Sequence, residues 1–252
     1  MLLGAVTYNV LKDMDVETII KTLEGAGFEA VELRTTHKHG VEPSIDAAER
    51  TRVRERFQKS KVRLLSLGTA CEFHAADPEV RKKQVAECKR FIELAHDTGA
   101  WGVKVRPNGF PKEVSREQTI QNIGACLREV GQFGQGFGVE IWLEVHGRET
   151  QVPPVCADIM KATRHNNVGL CWNSNPTDVV QGSLKQSFQL LRPWLKSCHI
   201  NELTSGYPYR ELFRLMRESK YDRWTLCEAQ ESKEPDRFLK YYRALWTELN
   251  RA

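Results

Sequence analysis

The sequence predicts a single α/β domain, residues 1–252, folded as a closed (β/α)8 barrel. Three observations predict it. Short apolar strand-like runs alternate with helical runs eight times, with no linker or low-complexity break, the pattern of parallel strands joined by helices. The length of 252 residues is that of one such barrel. Several strands end in a polar residue bracketed by apolar ones, and VEIWLEVHG at 139–147 is the clearest. Alternation puts Glu140, Trp142, Glu144 and His146 on one face and Ile141, Leu143 and Val145 on the other. That suits a wall covered by helices outside, with chemistry at the strand ends.

The elements follow in order. Residues 2–8 read as the first strand. Asp15 is a plausible N-cap for a helix burying Val16, Ile19, Ile20 and Leu23, with Gly25 or Gly27 as its stop. AVELR (30–34) is the second strand and a charged helix spans 44–59. VRLLSLG (62–68) is the third, with Cys71, Glu72 and His74 in the loop after it. Asp77-Pro78 opens a helix that Gly99 closes. WGVKVRP (101–107) is the fourth strand, and a helix over 115–132 leads to a glycine-rich turn at 131–138. Pro153 and Pro154 open the helix after the central strand, which runs to Arg164. VGLCWN (168–173), LKSCHIN (195–201) and RWTLCEA (223–229) are the last three strands, with helices near 180–192 and 208–219. The final helix starts at Pro235 and presents Phe238, Tyr241, Tyr242, Leu245 and Leu249 on one face.

Composition narrows the function. A net charge of +4, with 28% charged residues well mixed, is too small a bias to argue on its own for nucleic acid as the partner. No apolar run is long enough to span a bilayer, and MLLGAVTYNV reads as a strand rather than a signal peptide. Seven scattered cysteines without CxxC pairs suit a reducing, cytoplasmic setting and no cysteine-bound zinc. The first strand is followed by no GxGxxG, so a dinucleotide site is not supported. Nothing in the sequence decides how chains associate, and a homo-oligomer stays open.

Strand parity locates a site. Glu144, Asn173, His199 and Glu228 each point inward near the end of their strand, on four adjacent strands. Alone, each has a bland reading: a salt-bridged glutamate, a core histidine, a turn asparagine. Together they offer oxygen and nitrogen donors to one divalent ion, magnesium, manganese, cobalt or zinc. Secondary candidates share the inward phase. Arg106 can hold a substrate oxygen or phosphate, or else pair with Glu32. Glu32 and Arg34 end the second strand, Lys104 precedes Arg106, and His146 can contact substrate or orient a carboxylate. His37, His39 and His74 sit in mouth loops, where solvated histidines are common.

On WLEVHG, CHINE and LCEAQ, with Glu144, His199 and Glu228, nearly the whole chain resembles the sugar phosphate isomerase/epimerase family with its xylose isomerase-like TIM barrel. Endonuclease IV is a more distant relative. The resemblance implies one divalent ion held by Glu144, Asn173, His199 and Glu228. It also implies a small sugar or sugar phosphate as substrate, and proton transfer through an enediolate with Glu144 and Glu228 as acid and base. The second ligand position usually carries aspartate, often with histidine three residues on; here stand Asn173 and Pro176. Two rivals stay beside this reading: an endonuclease IV-like zinc phosphodiesterase, and a non-catalytic sugar-binding barrel with a degraded metal site.

Overall fold

The computed structural model describes residues 1–251. Eight parallel strands close into one barrel: β1 (Leu2–Val6), β2 (Ala30–Arg34), β3 (Arg63–Glu72), β4 (Gly102–Arg106), β5 (Glu140–Glu144), β6 (Val168–Trp172), β7 (Leu195–Ile200) and β8 (Trp224–Cys227). Each pairs with its sequence neighbours, and β1 closes on β8 through the register Leu2–Trp224 to Ala5–Cys227. Eight helices cover the outside: α1 (Val16–Ala26), α2 (Ala47–Gln58), α3 (Pro78–Thr98), α4 (Arg116–Phe137), α5 (Pro153–Thr163), α6 (Lys185–Leu191), α7 (Tyr209–Glu218) and α8 (Pro235–Leu249). None of the helices is long and apolar enough to cross a membrane, among the described residues.

Local chemistry sets most helix ends. The side chains of Asp15, Asp46, Asp77 and Ser115 accept hydrogen bonds from backbone N–H groups in the first turns of α1 to α4, which satisfies donors the helix leaves open. Gly27 and Gly99 close α1 and α3 in the left-handed conformation.

The core has two layers. Outward strand residues such as Val103, Val105, Leu143 and Val145 pack under the helices. Inside the barrel Val6, Ala30, Leu65, Trp142, Cys171, Trp224 and Leu226 form a separate apolar layer. Trp142 is nearly wholly buried there, and Gly102 makes room for it: a Cβ at that position would lie 2.7 Å from the indole.

Four expectations need correction. The stretch 131–138 is no turn; α4 runs on to Phe137, and Gly138 ends it. Two of its glycines, Gly131 and Gly134, serve packing instead. A Cβ on Gly131 would lie 2.5 Å from Val168, and one on Gly134 2.5 Å from the Val139 carbonyl oxygen. Strand β3 continues through Cys71 and Glu72, because Glu72 pairs with Arg106 beyond an irregularity in the ladder. Helix α6 is shorter than its predicted span, since Val180–Ser183 form a tight bridged turn before it. In α8 Tyr241 is 64% exposed while Leu239 and Tyr242 are buried; successive residues lie about 100° apart on a helix, and the buried face is centred on Tyr242.

Candidate active site

The C-terminal ends of the strands surround a cavity of about 200 Å³ lined by Tyr8, Arg34, Lys104, Arg106, Glu144, His146, Asn173, Asn201 and Glu228. A larger cavity of about 500 Å³, near Arg54, Arg63 and Trp224, lies at the opposite ends of the strands, away from where barrels place their chemistry.

Below the mouth cavity His199 is fully buried among three carboxylates. Its Nε2 lies 3.3 Å from Glu32 Oε1, and its Nδ1 lies 3.6 Å from Glu144 Oε1 and 3.5 Å from Glu228 Oε2. These are ion-pair distances; neither ring nitrogen makes a hydrogen bond. Burial alone favours neutral imidazole, but Cys171, Glu228 and Glu32 outweigh it and raise the His199 pKa well above its ordinary value. Burial likewise pushes the Glu144 carboxyl up, yet Lys104 and His199 prevail and hold it well below the usual carboxylate range. The Lys104 ammonium donates to Glu144 Oε2 at 2.8 Å, with 5% and 4% of the two side chains exposed. Glu228 makes no such bond to a cation and is the more exposed of the two mouth glutamates.

One donor atom from each of Glu144, His199 and Glu228 lies within 4.8 Å of the others. Asn173 lines the same cavity, and its Oδ1 is buried without a hydrogen-bond partner. Two carboxylate oxygens, one imidazole nitrogen and one amide oxygen form a donor set that a divalent ion of the manganese-to-zinc series accepts. The residues therefore fit such an ion.

The remaining candidates divide. Arg34, Arg106 and His146 reach the cavity wall. Arg106 does not pair with Glu32. Its Nη2 donates to Glu72 Oε1 at 2.7 Å, Asn108 Nδ2 donates to the same oxygen at 2.6 Å, and Asn108 Oδ1 lies 3.0 Å from His146 Nδ1. Glu32 does not reach the wall. It lies fully buried beneath, where Ser66 donates to its Oε2 at 2.8 Å; an irregular register between β2 and β3 brings Ser66 opposite it. The loop histidines are not solvated in the expected way: His37 lies 2.9 Å from the Thr7 hydroxyl, and His39 is buried against the Arg34 carbonyl oxygen at 2.8 Å.

A sequence profile described as the xylose isomerase-like TIM barrel matches residues 20–245. The chain belongs to that family. Within the xylose isomerase-like barrels, one similar sequence is the inosose isomerase of Bacillus velezensis, 22% identical over 172 residues, or 65% of this chain. That match spans 59% of the relative's own length. The fold superposes on D-psicose 3-epimerase from Clostridium cellulolyticum H10, crystallised with D-tagatose, at a TM-score of 0.86 and 14% identity over the whole of both chains. It also superposes on the IOLI protein with a bound zinc atom, at a TM-score of 0.77 and 16% identity over 99% and 96% of the two chains.

Two wall residues of this family member lay outside the sequence-based candidates. Tyr8 follows β1 in the phase of Gly4 and Val6, and Asn201 follows His199 in the phase of β7, so strand parity would have found both. The inward phase of Lys104 is legible too; its pairing with Glu144 is not, because registers across strands are not written in the sequence.

Proposed function

We propose that the chain is a divalent-metal-dependent isomerase or epimerase of a small sugar. The supporting observation is the convergence of Glu144, His199 and Glu228 below a cavity at the C-terminal strand ends. The activities of two relatives, an inosose isomerase and a D-psicose 3-epimerase, agree with it. A bound divalent ion would supply Lewis-acid polarisation of a carbonyl, and Glu144, Asn173, His199 and Glu228 are the residues that would hold it.

The chain's own groups move the proton. Glu228, which no lysine or arginine engages, takes the proton from the carbon beside the carbonyl, and the C–H electron pair passes to the carbonyl oxygen to give an enediolate. Glu144 stands three strands away around the barrel. For an epimer, Glu144 first takes a proton from water and delivers it to the other face, while Glu228 gives its own up to solvent; for an aldose, the enediolate hydroxyl proton passes to the former carbonyl oxygen and Glu228 returns its proton to the neighbouring carbon. Arg34, Arg106 and His146 bind substrate oxygens, a phosphate included. One cluster of ligands among the described residues supports a single ion, whereas the phosphodiesterase alternative needs several. Seven free cysteines, six of them buried or nearly so, support a reducing cytoplasmic setting.

The test is proton exchange. Incubation with manganese and a panel of ketoses in deuterated water should place deuterium at a carbon beside the carbonyl of at least one, read by NMR. Glu144→Gln and Glu228→Gln should each lower that exchange by about a hundredfold or more without unfolding the chain. Full exchange in either variant would remove the two-glutamate mechanism.

A further inference from the structure

One charged group in the cavity has no place in the two-glutamate scheme. Lys104 points inward from β4, between outward Val103 and Val105. Its ammonium is bonded to Glu144, one of the ion's ligands, rather than to the deeper Glu32. A lysine ammonium has three N–H donors, and one goes to Glu144. The side chain lines the cavity beside Asn173 and Glu228, so its remaining donors are within a ligand's reach.

Charge counting sharpens the point. The ligand set carries two negative charges, from Glu144 and Glu228, while Asn173 brings none. Lys104 cancels one of the two. With the buried Glu32 beside His199 counted as well, a dication meets a net of two negative charges, and the cavity wall already holds a fixed cation beside Asn173 and Glu228.

We infer that Lys104 is a further catalytic residue, whose ammonium hydrogen-bonds the substrate oxygen that gains negative charge and, through its hold on Glu144, loosens the grip on the divalent ion. This rests on the isomerase reading above. Lys104 stays charged throughout. The C–H bond breaks, the O–H bond forms on Glu228, and the electron pair comes to rest on an oxygen that the ammonium stabilises without giving up its proton. Fixed donors at a developing oxyanion act strongly because they need no reorganisation.

The experiment titrates Mn²⁺ calorimetrically into the full-length wild type, Lys104→Gln and Lys104→Arg, and measures deuterium exchange in each. Lys104→Gln should bind Mn²⁺ about tenfold more tightly, since it removes a unit charge beside a ligand. It should also lose about a hundredfold in exchange rate, with the Michaelis constant little moved. Lys104→Arg keeps the charge, so it should hold Mn²⁺ as the wild type does, yet lose exchange because its planar fork misplaces the donors. Unchanged or weaker Mn²⁺ binding in Lys104→Gln, or undiminished exchange in either variant, would overturn the inference. A folding failure of Lys104→Gln leaves the arginine variant to decide. If the wild type exchanges no ketose proton, the isomerase reading fails and the catalytic part of this inference falls with it, while Mn²⁺ binding still reports on the competition for Glu144. If wild type and variants exchange equally, only Lys104 is ruled out.

Discussion

Asn173 shows what a single atom decides at this site. Its amide oxygen is buried, unpartnered and on the cavity wall, so it can serve as a donor, but it brings no charge. Replacing it by aspartate adds an anion to a set from which Lys104 has removed one. Asn173→Asp is expected to tighten Mn²⁺ binding by about tenfold, measured by calorimetry; a loss of affinity would show that Asn173 is no ligand. This residue was legible from strand alternation alone, as were Glu144, His199 and Glu228. Alternation gives direction and approximate height. It does not give pairing, which is why an Arg106–Glu32 pair stood open beside a substrate-binding role, whereas Arg106 stands against Glu72. It does not give depth either, and Glu32, in phase with the site, lies a layer below it.

The segment joining β6 to α6 carries Asn173 at its start and a buried acid further on. Asp178 is fully buried; it accepts from the Asn175 N–H at 2.7 Å and from the Tyr207 hydroxyl at 2.8 Å, while its Oδ1 has no partner. Burial pushes its pKa up to about 7, against the opposing hydrogen bonds of Tyr207 and Asn175. The folded state thus holds the proton more tightly than the unfolded chain, so this group's stabilisation is complete below about pH 4 and is lost as pH rises through 7. Asp178→Asn, neutral at every pH, should melt higher than the wild type at pH 8 and show less decline between pH 5 and 8, followed by thermal denaturation. A steeper decline in the variant would contradict this. In α4, Gly131 and Gly134, which read as part of a turn, are close-packing positions. Gly131→Ala should destabilise by about 1–3 kcal/mol through overpacking against Val168, measured by denaturant melts. At Gly131 local sequence cannot distinguish the two uses of glycine, because the decisive atoms belong to β6, more than thirty residues on.

At the scale of the barrel, the eightfold alternation made the architecture legible, while closure of β1 on β8 depends on contacts that no local pattern records. The strand starts are tied together by Glu140. Arg223 donates to both its oxygens at 2.7 and 3.0 Å, Lys196 to one at 2.9 Å, and the Trp142 indole to the other at 2.8 Å. Burial raises the Glu140 pKa, but these donors outweigh it and hold the value at about 2. Its contribution is therefore present above the ordinary carboxylate pKa and disappears as pH falls toward 2. Glu140→Gln should cost about 2 kcal/mol at neutral pH and flatten the acid limb of the stability curve; an unchanged melting midpoint would count against the tie.

Between that ring of charges and the mouth lies the apolar layer around Trp142. Apolar side chains close the floor of the barrel, so the mouth cavity is the side from which a ligand would meet the two glutamates.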